Sequence, residues 1–597
     1  MKSRPTVPPL HYRVEVADLH AHLYRVTLTI AEPAAQQRVS LPVWIPGSYL
    51  VREFSKNLQQ LQARQGTKAV PLRQLDKCNW QVECLPAKSL VLRYEVYALD
   101  PSVRTAWLDA ARGFFNGTSL CLRVLGQEDR PHGLELVASQ SIAHWQVATP
   151  ATAQKIDKKG FGSYLAASYD ELVDCPVEMG TFLSGAFVAG GVPHRFVVAG
   201  AAPSFDFDRL LADAQKICEA EIRFWHGAFG TGVRARSRAP HANYLFMLNA
   251  VDDGYGGLEH RTSTALICNR RDLPRLGEKK PPEGYTTLQG LISHEYFHTW
   301  NVKRLRPVEF ARYDYTQENY TQLLWFFEGF TSYYDDLLLR RAGLIDDAGY
   351  LRLLNKTINQ VQQTPGRALQ SVAQASFDAW VKYYRVDENT PNATVSYYTK
   401  GALVALCFDL TLRLEGHTTL DHVMRALWQR CQAGPMTEAD FAVVLQELGG
   451  RSFSKEIAAW VHGTRDLPLQ DLLQRHGVAV LDEPAQLAQR LGLRVSESNG
   501  IQVKTVLRGG AAERAGLAAG DEWLGIEFGA KASQSSWRLN KLDELLLYAG
   551  PSRKVTVVIA RDKRLLRLAL ALPPAVTTWR LALRDAALAK PWLASQD

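Results

Sequence analysis

One pentapeptide constrains this chain more than anything else in it: His294-Glu295-Tyr296-Phe297-His298, inside the run Leu291 to Trp300. On a helix, residues four apart project from one face, so His294 and His298 can hold a single zinc ion at about 2.0–2.1 Å from each ring nitrogen. Glu295 lies beside that face and is placed to take a proton from water at the ion instead of binding the ion itself. Two histidines four apart also arise by chance in a chain with 15 of them. The reading therefore depends on what surrounds the motif.

A catalytic zinc needs a third protein ligand and an open position for water. Two glutamates compete. Glu318 is close to the spacing from His298 seen in thermolysin-type sites, whereas Glu328 lies further on, in Trp325-Phe326-Phe327-Glu328-Gly329-Phe330. Glu328 is preferred, because an ionised carboxylate among aromatic neighbours is costly to bury without a metal or another partner. Glu318 sits among Thr316, Gln317 and Asn319, where water can reach it, and is read as a carboxylate at the N-terminus of a helix over 318–342. Asp335 comes two helical turns after Glu328 and can receive the free N–H of a ligating histidine; alternatively it is a surface acid beside Asp336.

At 597 residues the chain exceeds one hydrophobic core and should divide into roughly three or four domains. With 46% hydrophobic and 22% charged residues it reads as ordinary globular protein. The net charge of +8 is small for this length and the basic residues are scattered, which argues against nucleic-acid binding. No apolar run approaches a transmembrane segment; the best, Gly401 to Leu412, contains Asp409. Met1 to Pro5 is followed by Pro8, Pro9, His11 and Arg13, unlike a secretory signal. The eight cysteines are dispersed, as befits free thiols in a reducing compartment, so a cytoplasmic location is expected.

Organisation follows from periodicity. From His11 to about Met179 the chain shows short alternating runs such as Leu23 to Ile30, separated by Pro, Gly and Asn, which predict an antiparallel β domain. Tyr169 to Leu172 reads as a loop. Phe207 to Phe229 turns helical, Tyr244 to Leu248 and Thr264 to Cys268 read as strands, and helices are expected over about 286–302, 318–342, 348–363, 398–414, 418–432 and 436–447. After Leu467 strands return at Gly500 to Val506, Asp521 to Ile526 and Val555 to Ile559, with helices near Gly509 to Leu517 and over Leu539 to Ala549. That succession, over about 480–575 and including Ala515-Gly516-Leu517, Gly520 and Asp521, resembles a bacterial PDZ domain. Such domains add an extended peptide as a strand beside a carboxylate-binding loop; the loop candidate is Leu491-Gly492-Leu493.

The phrases His294 to Pro307 and Trp325-x-x-Glu328-Gly329-Phe330-Thr331-x-Tyr333-Tyr334 resemble the glycyl aminopeptidase family of zinc metallopeptidases. Leu41 to Tyr49 and Asp174 to Gly180 are similar to its N-terminal signatures. The resemblance implies an α+β multidomain chain with three parts. These are an antiparallel β N-terminal domain (1–180), a thermolysin-like catalytic domain with a helical part (181–470), and a PDZ-like C-terminal domain with a tail (471–597). It implies one zinc ion per chain, peptide substrates with a free N-terminus and a preference for Gly or Ala there. A peptide or protein C-terminus is the expected ligand of the PDZ-like part.

Within that resemblance, Gly256-Gly257-Leu258-Glu259-His260 is similar to the Gly-x-Met-Glu-Asn exopeptidase motif of the aminopeptidase N group, with Leu for Met and His for Asn. Small Gly256 and Gly257 let a substrate backbone approach, and Glu259 can pair with its α-ammonium; the plain alternative is a hairpin turn with a solvated glutamate. Tyr398, in Tyr398-Thr399-Lys400-Gly401, matches the group's oxyanion-stabilising tyrosine, with Tyr397 its neighbour. The expected chemistry is removal of N-terminal residues through Glu295 and a zinc-activated water. A zinc endopeptidase, or a PDZ peptide-binding scaffold with vestigial activity, are the alternatives.

Overall fold

A computed structural model describes residues 8–227, 239–529 and 535–594. Met1 to Pro5 and the last two residues of the helix expected to end at Phe229 lie outside that set.

The first 180 residues build β structure from alternating sequence. Leu23–Ile30 buries every second side chain, and it pairs with Leu10–Asp18 on one side and Leu90–Tyr97 on the other within an eight-stranded sheet. One neighbour pair, Leu10–Asp18 with His132–Leu136, is parallel, so the sheet is mixed instead of wholly antiparallel. Two four-stranded sheets complete this part. Its core is fastened at one seam: the hydroxyls of Tyr12, Tyr94 and Tyr169 donate to the carbonyls of Leu122, Leu120 and Cys121 at 2.6–2.7 Å. Tyr169–Val173 is a short helix, not a loop; Ser168 caps it by accepting from the Glu171 N–H.

Residues 183–269 form a five-stranded sheet in the order Leu183–Ala189, Val192–Ala199, Tyr244–Val251, Ser263–Asn269, Gly256–Glu259. Among the described residues Gly256–Glu259 is therefore an edge strand, antiparallel to its one neighbour. The motif helix, Glu283–Phe297, packs on this sheet and on the helix Phe207–His226. Helices follow: Leu324–Phe327, Gly329–Arg341, Asp347–Gln362, Thr399–Glu415, Leu420–Arg430 and Glu438–Gly449.

The helix expected over 318–342 is shorter and starts later. Asp314 and Asn319 tie residues 314–319 into a knot, with the Asp314 N–H donating to Asn319 Oδ1 and Asn319 Nδ2 donating to the Asp314 carbonyl. Glu318 thus lies in a non-helical segment and is not a helix-terminal carboxylate.

Residues 487–571 enclose a separate core around Leu491, Ile501, Trp523 and Val557. Its helix is shorter than expected, Glu544–Ala549, and strands continue beyond Ile559 through Arg564–Ala571. The flanking strands Val478–Pro484 and Thr577–Leu583 pair with each other antiparallel, Pro484 opposite Thr577, so this unit is inserted at the tip of a hairpin. The hairpin and the final helix, Ala586–Leu593, pack into the large helical core through Val478, Leu581 and Trp592. All eight cysteines are unpaired. No helix among the described residues is long and apolar enough to cross a membrane.

Candidate active site

The motif helix puts His294 and His298 on one face with ring centroids 4.6 Å apart. Glu328 meets them from the next helical segment: its Oε2 lies 3.6 Å from His294 Nε2 and 3.2 Å from His298 Nε2. These three are the group that could hold a metal ion among the described residues, their ligand atoms all within 4.8 Å of one another.

The ring tautomers make the case chemical. Asn301's carbonyl, 2.8 Å from His298 Nδ1, can only accept, so Nδ1 carries the hydrogen and a neutral ring turns the Nε2 lone pair toward Glu328. His294 Nδ1 is likewise engaged by the Asp335 carboxylate at 3.0 Å. Lone pairs facing a carboxylate across these gaps call for a cation between them. Two imidazoles and one carboxylate suit a borderline-soft divalent ion such as zinc. Burial opposes ionisation of Glu328, but where the two rings carry a proton their charge and hydrogen bonds outweigh it and lower its carboxyl to about 2.

Convergence of these elements depends on two glycines. A methyl on Gly329 would stand 2.6 Å from the Gly401 Cα, and one on Gly401 would stand 2.7 Å from the Trp325 carbonyl. Backbone therefore packs on backbone where Glu328 precedes Gly329 and Tyr398 precedes Thr399-Lys400-Gly401. Tyr398 is half-buried at the head of its helix, its ring 6.2 Å from that of His294, and its hydroxyl is 3.3 Å from that of Tyr384. Tyr397 is fully buried and its hydroxyl has no partner among the described residues.

Glu295 turns toward the edge strand: a methyl on Gly257 would lie 2.1 Å from its Oε1, so glycine there is what admits the carboxylate. Its Oε2 is buried without a hydrogen-bond partner among the described residues. Burial raises its pKa to about 7, against the pull of His294 and His298 and with the help of Glu259. Glu259 is 4% exposed, two residues along the same strand. It is held against the turn at Gly47, where a methyl would fall 2.5 Å from both carboxylate oxygens and φ is +92°.

The structure brings together all nine residues singled out in the sequence: His294, His298, Glu328, Glu295, Tyr398, Gly256, Gly257, Glu259 and Asp335. His260, where the chain departs from the resembled motif, is engaged by Asp174. Its Nδ1 faces Asp174 at 3.2 Å, and that carboxylate also accepts from the Arg261 N–H and from Lys303 Nζ at 2.8 Å. Burial pushes Asp174 upward, but Lys303 and His260 more than compensate and leave it well below the usual carboxylate range.

The N-terminal β domain supplies two residues that the sequence alone did not point to. Tyr49 donates to Glu328 Oε1 at 3.4 Å, and Arg104 Nη2 donates to the Gly257 carbonyl at 2.9 Å. Tyr384, beside Tyr398, and Asn301, behind His298, were missed as well. A signal for Tyr49 existed in Pro46-Gly47-Ser48-Tyr49, which resembles a family signature, but the phrase carried no role of its own.

Sequence profiles match at two places: the Peptidase M61 N-terminal domain over residues 11–181 and the M61 glycyl aminopeptidase over 287–404. No curated protein matches. Among solved structures, an aminopeptidase N family protein from Idiomarina loihiensis is 36% identical with a TM-score of 0.91, covering 98% of this chain and 100% of that one. An M1 zinc metallopeptidase from Deinococcus radiodurans is 14% identical with a TM-score of 0.46, covering 77% of this chain and 94% of that one. On the two profiles and the full-length relative, the chain belongs to the M61 glycyl aminopeptidase family of metallo-aminopeptidases.

Proposed function

We propose that the chain uses one zinc ion to remove the first residue of peptides bearing a free α-amine, with small residues, Gly or Ala, preferred at that position. The preference comes from the family. The mechanism is supported above all by one arrangement: Glu259 stands two residues from Gly257 on the edge strand, and Gly257 touches Glu295 beside the His294, His298 and Glu328 cluster.

When bound by His294, His298 and Glu328, zinc would acidify water and polarise the scissile carbonyl. The protein's own groups then divide the work. Glu259 pairs with the substrate ammonium and sets the distance from the N-terminus to the reacting carbonyl. Glu295, with a pKa near neutrality, takes a proton from the attacking water and returns it to the leaving amine. The Tyr398 hydroxyl donates to the developing oxyanion. Asp335, Asn301 and Tyr49 fix the two imidazoles and Glu328, so that little reorganisation is left for the reaction.

We also read residues 485–576 as a PDZ-like unit inserted into the catalytic part, with the β domain spanning roughly 1–180. An extended peptide C-terminus would add beside Leu493–Ser496. In support, among the described residues that strand pairs on one side alone, with Ile501–Val506, and Gly492 before it is left-handed at φ +74°.

A panel of aminoacyl chromogenic amides and N-acetylated peptides, assayed with and without a chelator, tests the reading. Chelator-sensitive release of unblocked Gly and Ala with no cleavage of acetylated peptides is expected. Equal cleavage of both would make the enzyme an endopeptidase.

A further inference from the structure

Two arginines of the β domain stand at the catalytic cleft with no carboxylate in ion-pair contact among the described residues, Asp100 acting on Arg52 and Arg104 on Glu295 only at longer range. Arg104, between the strands Leu90–Tyr97 and Ala106–Leu108, reaches the edge strand, where Nη2 donates to the Gly257 carbonyl and Nη1 would lie 3.5 Å from a methyl on Gly256. Arg52 Nη2 donates to Ser48 Oγ at 2.9 Å. The Nε of each is buried without a partner, and neither makes an ion pair with a carboxylate among the described residues. Three more deeply enclosed arginines are paired, Arg112 with Glu178 at 2.7 Å, Arg341 with Asp421 at 2.9 Å and Arg413 with Asp409 at 3.0 Å, and Arg304, which has no such pair among the described residues, spends its guanidinium on three backbone carbonyls. Burial first, and the like charge of Arg104 second, push Arg52 down to about 10. Both guanidiniums also act on Tyr384, the neighbour of Tyr398. Two half-buried like charges left unpaired beside a reaction centre form a receptor for an anion.

The direction of the substrate says which anion. If the amine sits at Glu259 and the scissile bond at Glu295, which touches Gly257, the remainder of the peptide runs past Gly256 toward Arg104. An extended chain advances about 3.3 Å per residue, so the second or third residue of the substrate arrives there. We propose that Arg104, assisted by Arg52, binds the C-terminal carboxylate of di- and tripeptides, which makes the enzyme an aminopeptidase of short free-acid peptides. A planar guanidinium suits a carboxylate through paired, charge-assisted hydrogen bonds. The inference rests on the proposed placement of the substrate amine at Glu259.

The test compares kcat/KM of the zinc-loaded enzyme on Ala-Ala-Ala, its C-terminal amide, and Ala-Glu-Ala amide, for the wild type, Arg104→Gln and Arg52→Gln. The free acid should exceed its amide by about tenfold or more in the wild type, as for a hydrogen bond to a charged group. That ratio should fall to near one in Arg104→Gln and drop partway in Arg52→Gln. Because the readout is a ratio, a general disturbance of Gly257 lowers both rates and leaves it unmoved. A wild-type ratio near one, or a ratio that Arg104→Gln leaves unchanged, overturns the proposal. Arg104 dependence that follows the glutamate of Ala-Glu-Ala amide overturns the assignment to the terminal carboxylate. N-acetyl-Ala-Ala-Ala, run alongside, separates the two readings: its efficient cleavage strikes at Glu259, while the acid-to-amide ratio still reports on Arg104.

Discussion

His298 has one tautomer open to it, because a backbone carbonyl takes its Nδ1 hydrogen, whereas His294 depends on a carboxylate that a single atom can change. Asp335→Asn keeps the size and loses the charge behind His294, so zinc affinity should fall by about 10–100-fold, measured by competition with a chromogenic chelator. On the far side of the same helix, the Tyr296 hydroxyl lies 2.9 Å from His194 Nε2 and 3.1 Å from His241 Nε2. Burial lowers His194 to about 4 and His241 to about 3. The sign follows: both folded values lie below the ordinary 6.5, so below pH 6.5 the unfolded chain takes up protons that the native state refuses. Stability should therefore be full near neutrality and decline as pH falls toward 4, by about 3 kcal/mol from His194 alone. His194→Gln, which hydrogen-bonds but does not titrate, should make that acid limb shallower in thermal unfolding measured between pH 7 and 4.5, with the remainder coming from His241.

At the scale of elements, the site is a meeting of helices at Gly329 and Gly401. Gly401→Ala should push the two apart, destabilise by about 1–3 kcal/mol as overpacking does, and lower kcat by at least tenfold through misplacement of Glu328 and Tyr398; a folded variant with unchanged kcat would show the contact to be incidental. The same scale shows what was legible in the sequence. The ligands were, since two lie four apart on one helix and the third is a lone carboxylate among aromatics, both local patterns. The placement of Glu259 and Tyr398 near those ligands was legible through short phrases whose glycines are required by close approach. Tyr49 and Arg104 were not, because their contacts span 279 and 153 residues; the phrase around Tyr49 is recognisable but does not specify its partner, and nothing local marks Arg104. The start of the helix after Glu318 was hidden for a different reason: side-chain bonds of Asp314 and Asn319 to nearby backbone outcompete helix there. Ser168-x-x-Glu171, by contrast, was a readable cap signal for the helix that follows it.

Over the whole molecule, the β domain is a wall of the active site, and the C-terminal insertion is an appendage of a hairpin. Replacing residues 485–576 by a short turn, with Pro484 and Thr577 already opposite each other, should leave hydrolysis of small amides within about twofold. Truncation before Thr577 should not be tolerated. It removes Trp592, which is fully buried and donates to the Tyr333 hydroxyl at 3.0 Å, and a lost tryptophan anchor alone costs about 3–5 kcal/mol. Thermal unfolding and activity of the two forms distinguish these outcomes. On the proposed mechanism, the whole assembly sets one carboxylate, Glu295, to work beside a metal. The most direct measurement is turnover of an alanine amide by Glu295→Gln loaded with zinc. About one zinc per chain should be retained and the rate should be lower by about 10²–10⁴-fold; turnover near the wild-type rate in the metal-replete variant would contradict that role for Glu295.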